Sequence, residues 1–225
     1  MKKSRVLSAS VLIAALLFMT VSIPTVQGET NPAVLPPTAR VQGMTLGEWG
    51  AEFFRFFFEI PASQHPALGY PWPNCYLERI RNVGLGVTYF NSGSSECQMP
   101  AGMILYVPVV GGECSSAELP PFYGANEEEL RACVMKFVYV NVQASVDGTP
   151  VRNIEAYAAL TPLYQLDLPD GNALGAPSGT YISVGKEYGF LLAPLSPGQH
   201  TIHVHGEVPD FDFVYDWVYH VTVTE

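Results

Sequence analysis

The stretch QHTIHVHG, Gln199 to Gly206, places three histidines within six residues. Imidazole serves as an acid or base near neutral pH and as the commonest nitrogen ligand of transition metals. The run is either a metal site or a strand that carries imidazoles. Strand alternation separates the two readings. If His200–Gly206 pairs antiparallel with Phe213–Val223, then Phe213, Tyr215, Trp217, Tyr219, Val221 and Val223 form one apolar face. Val214, Asp216, Val218, His220 and Thr222 form the other. A hairpin centred between Pro209 and Asp210 sets Ile202 opposite Trp217, Val204 opposite Tyr215 and His200 opposite Tyr219, so apolar faces apolar throughout.

In that register His200 points inward, as a core histidine hydrogen-bonded at the mouth of the SPG turn. His203 and His205 point outward, with Asp216 across from His203 and His220 further along. Two imidazoles at i and i+2 with a carboxylate suit a divalent transition metal, so His203, His205, Asp216 and His220 are the metal candidates. The plainer reading is a solvated polar face. No H-E-x-x-H motif supports a metal, so no cofactor is expected and the divalent metal stands as the alternative.

Other catalytic signatures are absent. The chain contains no G-x-G-x-x-G, no phosphate-binding loop and no G-x-S-x-G elbow. Glu127, Glu128 and Glu129 read as the start of a helix behind the N-cap Asn126. The Pro-rich loop ASQHPALGYPWPNC presents Tyr70 and Trp72, either as a platform for a sugar ring or as a cap on the core.

Stacked around these residues are many short segments rich in Val, Ile, Tyr and Phe, divided by Gly, Pro, Asn and Asp clusters, with Asp147–Gly148 as a hairpin turn. They predict a mainly β fold: an antiparallel β-sandwich, immunoglobulin-like or jelly-roll-like, with two short helices packed against it. The first helix is TLGEWGAEFFRFFFEIP. Thr45 and Glu48 form a capping box and Pro61 ends it. Glu48, Glu52, Arg55 and Glu59 make one narrow polar stripe on an otherwise apolar surface. Such a helix is buried in its own domain or docks on a membrane or partner. The acidic stripe favours burial, because membrane-surface helices carry Lys and Arg there.

Four cysteines, Cys75, Cys97, Cys114 and Cys133, allow three disulfide pairings, with zinc ligation as a rival that the lack of any C-x-x-C pair weakens. Nearest-neighbour pairing, Cys75–Cys97 and Cys114–Cys133, brackets one structural unit with each bond.

The N-terminus runs from a basic segment (Lys2, Lys3, Arg5) through the apolar VLIAALLFM to small residues Val26 and Gly28. This order reads as a secretory signal over residues 1–28. The rival is an uncleaved anchor, but the apolar run is shorter than the ~20 residues a membrane span needs. Removing 28 of the 225 residues leaves 197, enough for one domain, and takes the formal charge from −10 to −13. So acidic a chain repels nucleic acid. Residues 29–43 predict an extended arm, free to move, and 44–225 a single sandwich domain.

Several stretches, taken together, carry a family resemblance: GEWGAEFFRFFFEIPASQHP, the run from Cys97 to Val109, ELRAC, SVDGTPV, LAPLSPGQHTIHVHG and YHVTV. The chain resembles an uncharacterised family of exported bacterial and archaeal proteins, usually Trp-rich where FFRFFF stands here. The resemblance implies a shared fold and export, and no activity. The expected function is a non-enzymatic extracellular binding or envelope-associated module in the periplasm or at the cell surface, its ligand a glycan or a protein. The alternative is a metal-dependent extracellular enzyme built on the outward His/Asp cluster.

Overall fold

A computed structural model describes residues 33–72, 74–80, 82–86 and 93–225, with the backbone alone for 77–80. The expected signal segment, 1–28, lies outside the described residues. Among the described residues two helices, α1 (Leu46–Phe58) and α2 (Glu127–Val134), accompany eleven strands. The strands are β1 (Tyr76–Ile80), β2 (Val83–Gly86), β3 (Gly93–Pro100), β4 (Ile104–Ser115), β5 (Val140–Val146), β6 (Thr149–Pro150), β7 (Ala158–Leu160), β8 (Tyr164–Leu168), β9 (Gly179–Leu192), β10 (Gly198–Val208) and β11 (Phe213–Thr224). One sheet runs β1-β2-β4-β9-β7, with β8 also paired to β9; the other runs β3-β11-β10-β5-β6. The protein is a β-sandwich with two helices.

Alternation along the strands builds the core. Leu105, Val107, Phe190 and Leu192 on the first sheet are buried, as are Ile202, Tyr219 and Val221 on the second. The β10–β11 pairing keeps the expected faces but slides by two residues: Ile202 pairs with Tyr219 and Val204 with Trp217. Pro209–Phe211 form a 3-10 turn and Asp212 takes a left-handed φ of 49°, which moves the hairpin centre by one residue. A two-residue slide preserves side-chain parity, so every inward residue stays inward. The expected antiparallel sandwich also acquires two parallel neighbours, β2 with β4 and β3 with β11. Asp147 and Gly148, both at positive φ, make the tight turn between β5 and β6.

Helix α1 lies on the first sheet, the Phe53 ring 6.1 Å from that of Tyr106. Its capping box forms as the sequence predicts: Glu48 Oε2 accepts from the Thr45 backbone N–H at 2.7 Å, and Thr45 Oγ1 accepts from that of Glu48 at 3.3 Å. Trp49, Phe53, Phe54, Phe56 and Phe57 are buried. Even the polar stripe is engaged. Arg55 Nε donates to the Gln165 carbonyl at 3.0 Å, and Glu59 accepts from the Asp167 N–H at 3.1 Å, tying the stripe to β8. The helix is covered within its own domain. His65, fully buried, ends it: its Nε2 meets the Phe57 carbonyl at 2.6 Å while Nδ1 accepts from the Ala67 N–H at 3.1 Å. An orphan helix-end carbonyl is thereby satisfied.

Both disulfides follow the nearest-neighbour pairing, Cys75–Cys97 and Cys114–Cys133. The first joins the two sheets and the second joins β4 to α2. Loops of 22 and 19 residues correspond to about 3 kcal/mol each in the chain-entropy account. Two such bonds fit an oxidising, extracytoplasmic setting. The arm expected to move is docked from Ala33 onward: the Leu35 N–H donates to the Leu191 carbonyl at 2.8 Å, and Val34 and Val41 are buried. Among the described residues no helix is long and apolar enough to cross a membrane.

Candidate functional site

Strand β9 turns Ser183, Gly185, Glu187 and Gly189 toward α1. Small residues on this face let the helix come close. A Cβ on Gly185 would stand 2.2 Å from the Phe54 ring, and one on Gly50 would stand 1.8 Å from Glu187 Oε1. The Glu187 carboxyl therefore sits in a notch that only glycine provides at position 50. It is 1% exposed. Neither of its oxygens, nor the Tyr106 hydroxyl, has a hydrogen-bond partner among the described residues. Burial pushes this carboxyl up to about 8, against a smaller opposing pull from Tyr106. Near neutral pH it is mainly a carboxylic acid.

Strand β4 adds the floor. Strand β2 pairs with β4 only at Ile104–Tyr106, and the β4–β9 register shifts between Pro108 and Val110. Beyond that bulge come Gly111 and Gly112. A Cβ on Gly111 would meet Glu187 Cβ at 2.5 Å, and one on Gly112 would meet the Phe137 ring at 2.8 Å. Against this bare backbone lies a groove of two lobes. The first, about 290 Å³, is walled by Phe53, Phe54, Phe57 and Phe58 of α1 and by Phe213 and Tyr215 of β11, with Glu187 and Glu118 at its surface. The second, about 380 Å³, is walled by Phe122, Phe137, Tyr139 and Phe211, with Glu113 and Glu118. Phe58, Gly111, Gly112, Glu118 and Phe213 belong to both lobes.

The other two acids differ from Glu187. Glu113 is buried and accepts a hydrogen bond from Ser183, whose oxygen also lies 2.9 Å from the Tyr164 hydroxyl. Burial first, and then the charge of Glu118, push Glu113 well above the usual carboxylate range. Glu118 is raised by burial too, opposed by hydrogen bonds from Glu113 and Ser115. The groove thus joins aromatic walls to carboxyl groups that burial pushes upward, Glu187 the one held mainly neutral near pH 7. Its size lies in the range of small-molecule sites, and such acids can hydrogen-bond a neutral ligand or ionise against a positive one.

The residues singled out by the sequence lie elsewhere. His203 Nε2 is 2.5 Å from Asp216 Oδ1, and His205 Nδ1 is 3.7 Å from the same oxygen. The slide of the hairpin puts Asp216 directly opposite His205 and leaves His203 to reach it diagonally. His205 Nε2 also approaches Glu207 at 3.3 Å, and Glu207 accepts from Asn141. His220 stands opposite Thr201, outside this set. Three of the four candidates, His203, His205 and Asp216, are brought together as a ladder of polar contacts on the outer face. Among the described residues no group of three or more His, Cys, Asp or Glu side chains is arranged to hold a metal ion. Tyr70 is exposed, whereas Trp72 packs its ring edge on Phe56 at 5.7 Å and donates Nε1–H to the Gln64 carbonyl.

His200 takes the inward place its parity gives it. Its Nδ1 is 2.8 Å from Asp147 and its Nε2 is 2.9 Å from the Ser196 carbonyl. Burial opposes charging the ring, but Asp147 and the Ser196 carbonyl together raise its pKa above 6.5. Asp147 is lowered, its hydrogen bonds from His200 and Thr201 outweighing burial. A raised histidine stabilises fully below its unfolded pKa, and that contribution is lost as pH rises through the folded value. His200→Ala is therefore expected to cost roughly 1–3 kcal/mol at pH 6 and less at pH 8.5, while His203→Ala costs little. Urea unfolding at both pH values checks this; a larger loss from His203→Ala would contradict it.

No protein-family model matches the chain, and no curated protein sequence is similar to it. Among solved structures it has a likeness to one described as the structure of PbICP-C in complex with falcipain-2. The identity is 13%, the match covers 66% of this chain and 96% of that chain, and the TM-score is 0.22. At that score the likeness carries no argument about fold or function.

Neither Glu187 nor Glu113 stands out in the sequence as a functional residue. The available signal is each acid's strand position combined with adjoining glycines: Gly185 and Gly189 about Glu187, and Gly111 and Gly112 just before Glu113.

Proposed function

We propose that this chain is an exported, non-enzymatic binding protein whose ligand site is the two-lobed aromatic groove between α1, the Gly111–Gly112 edge of β4 and the start of β11. The observation that carries the reading is Glu187: a fully buried carboxyl with no well-formed hydrogen bond to protein, only the weak pull of the Tyr106 hydroxyl, at the surface of a cavity of about 290 Å³. Burying an unsatisfied polar group costs free energy, so a fold that only needed packing would place an apolar side chain there. The basic, apolar and small-residue order of the N-terminus, the two disulfides and the family resemblance support export. N-terminal sequencing of secreted protein, expected to begin at Glu29, tests that half.

Binding is tested with a neutral apolar fluorophore such as N-phenyl-1-naphthylamine. Saturable enhancement is expected, weakened about tenfold by Phe58→Ala, which removes a half-buried ring shared by both lobes. Enhancement that does not saturate, or that ignores Phe58→Ala in a protein with unchanged melting, would exclude the groove as the site.

A further inference from the structure

Resting on that reading, we propose that the groove selects an organic cation, a protonated amine carried on an aromatic or aliphatic body, with the ammonium group between Glu187 and Glu118 and the body among Phe122, Phe137 and Phe211. Three features converge on this class. The residues lining the two lobes include three glutamates and no Lys, Arg or His. Glu187 offers two oxygens without a well-formed hydrogen bond, and an ammonium group supplies N–H donors together with the opposite charge. The rings of Phe122, Phe137 and Phe211 stand 5.2–6.0 Å apart as a cluster whose faces and edges can pack a flat or branched apolar body and attract positive charge. The nearby cation, Lys186, is already committed: its Nζ donates to the Phe137 carbonyl at 2.7 Å and sits 5.4 Å from the Tyr139 ring centre. A chain with formal charge −10 further favours the approach of cations over anions.

The alternatives fit less well. An anion would enter a groove lined by three acids and be repelled by any that ionised. A neutral ligand could accept a hydrogen bond from protonated Glu187, but it would gain nothing from the absence of bases. With a cation the groove does electrostatic work that it cannot do while empty of charge. Glu187 gives up its proton to the buffer, and the carboxylate so formed pairs with the ammonium. The titratable groups that face Glu187 and the groove are Tyr106, Glu113 and Glu118 from β4 and the turn after it, Tyr164 from β8, and Tyr139 and Tyr215 from the second sheet side; α1 contributes Gly50 and phenylalanines. Tyr106 and Tyr139 are raised by burial first and by Glu187 next, so both stay neutral.

The experiment compares three ligands of nearly one shape by isothermal titration calorimetry: 2-(1-naphthyl)ethylamine, 2-(1-naphthyl)ethanol and 1-naphthylacetate. The amine is expected to bind at least about tenfold more tightly than the alcohol at pH 7.5, and the acetate least tightly. Its affinity should rise between pH 6 and pH 8, by up to about tenfold per unit, with release of one proton visible as a dependence on buffer ionisation enthalpy. Glu187→Gln should abolish the pH dependence and the preference for the amine, with a cooperative thermal melt showing that the variant is folded. Equal affinities for amine and alcohol, a pH-independent amine affinity, or a preference for the acetate would each overturn the cation inference and leave the binding reading standing. No binding by any of the three would overturn both.

Discussion

Phe53→Asp is expected to yield no cooperatively folded protein. Phe53 is 5% exposed and is enclosed by aromatic rings, with Phe54 at 5.4 Å, Phe57 at 5.8 Å and Tyr106 of β4 at 6.1 Å between centroids. The change deletes a buried ring and puts a carboxyl in its place. Loss of the ring alone, as in Phe53→Ala, costs about 3–5 kcal/mol. That is already a large part of the 5–15 kcal/mol typical of a whole domain. The carboxyl adds either the penalty of a buried charge or the cost of holding a neutral acid without a partner. Glu128→Ala, on the exposed side of α2, should by contrast shift stability only slightly. Circular dichroism and thermal melting of the two variants and of Phe53→Ala decide the matter. A soluble monomer of Phe53→Asp with a cooperative melt would mean that α1 is a docking surface and does not belong to the core.

Much of the frame around this helix is legible in the sequence because its signals are local and periodic. Thr45, Glu48 and Pro61 mark the ends of α1, and the steps between Glu48, Glu52, Arg55 and Glu59 mark its polar stripe. Alternation along QHTIHVHG and FVYDWVYHV gives the correct inward face for both strands, since parity survives an even slide. The register itself is less accessible. It depends on how many residues the turn consumes, and Asp212 at positive φ is a backbone choice that composition does not reveal. The parallel pairings of β2 with β4 and β3 with β11 are long-range and leave no local trace. The groove is less legible still. Glu187 in SVGKEYGF interrupts an apolar pattern, which alone reads as a strand edge turned to water. Only the approach of Gly50, 137 positions earlier in the chain, shows that the acid is enclosed. The histidines attracted notice because imidazoles are rare and were clustered, yet His203 and His205 lie on the outer face while the enclosed acids come from residues common in any chain.

The stability of the protein is expected to fall as pH rises from about 5 to 8, and Glu187→Gln should flatten that fall. An unfolded chain titrates Glu187 near 4.5, whereas in the fold burial pushes it up to about 8. Between those values the folded protein holds a proton that the unfolded chain has released. Stability then decreases with rising pH, being fully present below about 4.5 and lost as pH passes through about 8. At about 1.4 kcal/mol per pH unit the interval is worth on the order of 5 kcal/mol. Glu113, raised by burial and then by Glu118, acts with the same sign, as does His200 above 6.5. Two contributions oppose it: that of Asp147, whose pKa is lowered, is fully present above its ordinary 3.8 and essentially complete by pH 5, and that of His65, lowered by burial, grows as pH rises toward its ordinary 6.5, so the fall is steepest above that value. No basic side chain lines the groove to hold Glu187 ionised, so ionisation without a ligand leaves an uncompensated buried charge. Urea midpoints for wild type and Glu187→Gln at pH 5, 6.5 and 8 measure the effect. The amide keeps the shape of the carboxyl and cannot titrate, so the variant should overtake the wild type as pH rises, and the difference between them isolates Glu187 from Glu113 and His200. A wild-type midpoint that stayed level or rose toward pH 8, with the variant running parallel to it, would show that Glu187 is ionised and compensated in the fold. That would remove the neutral acid on which the groove's selectivity rests.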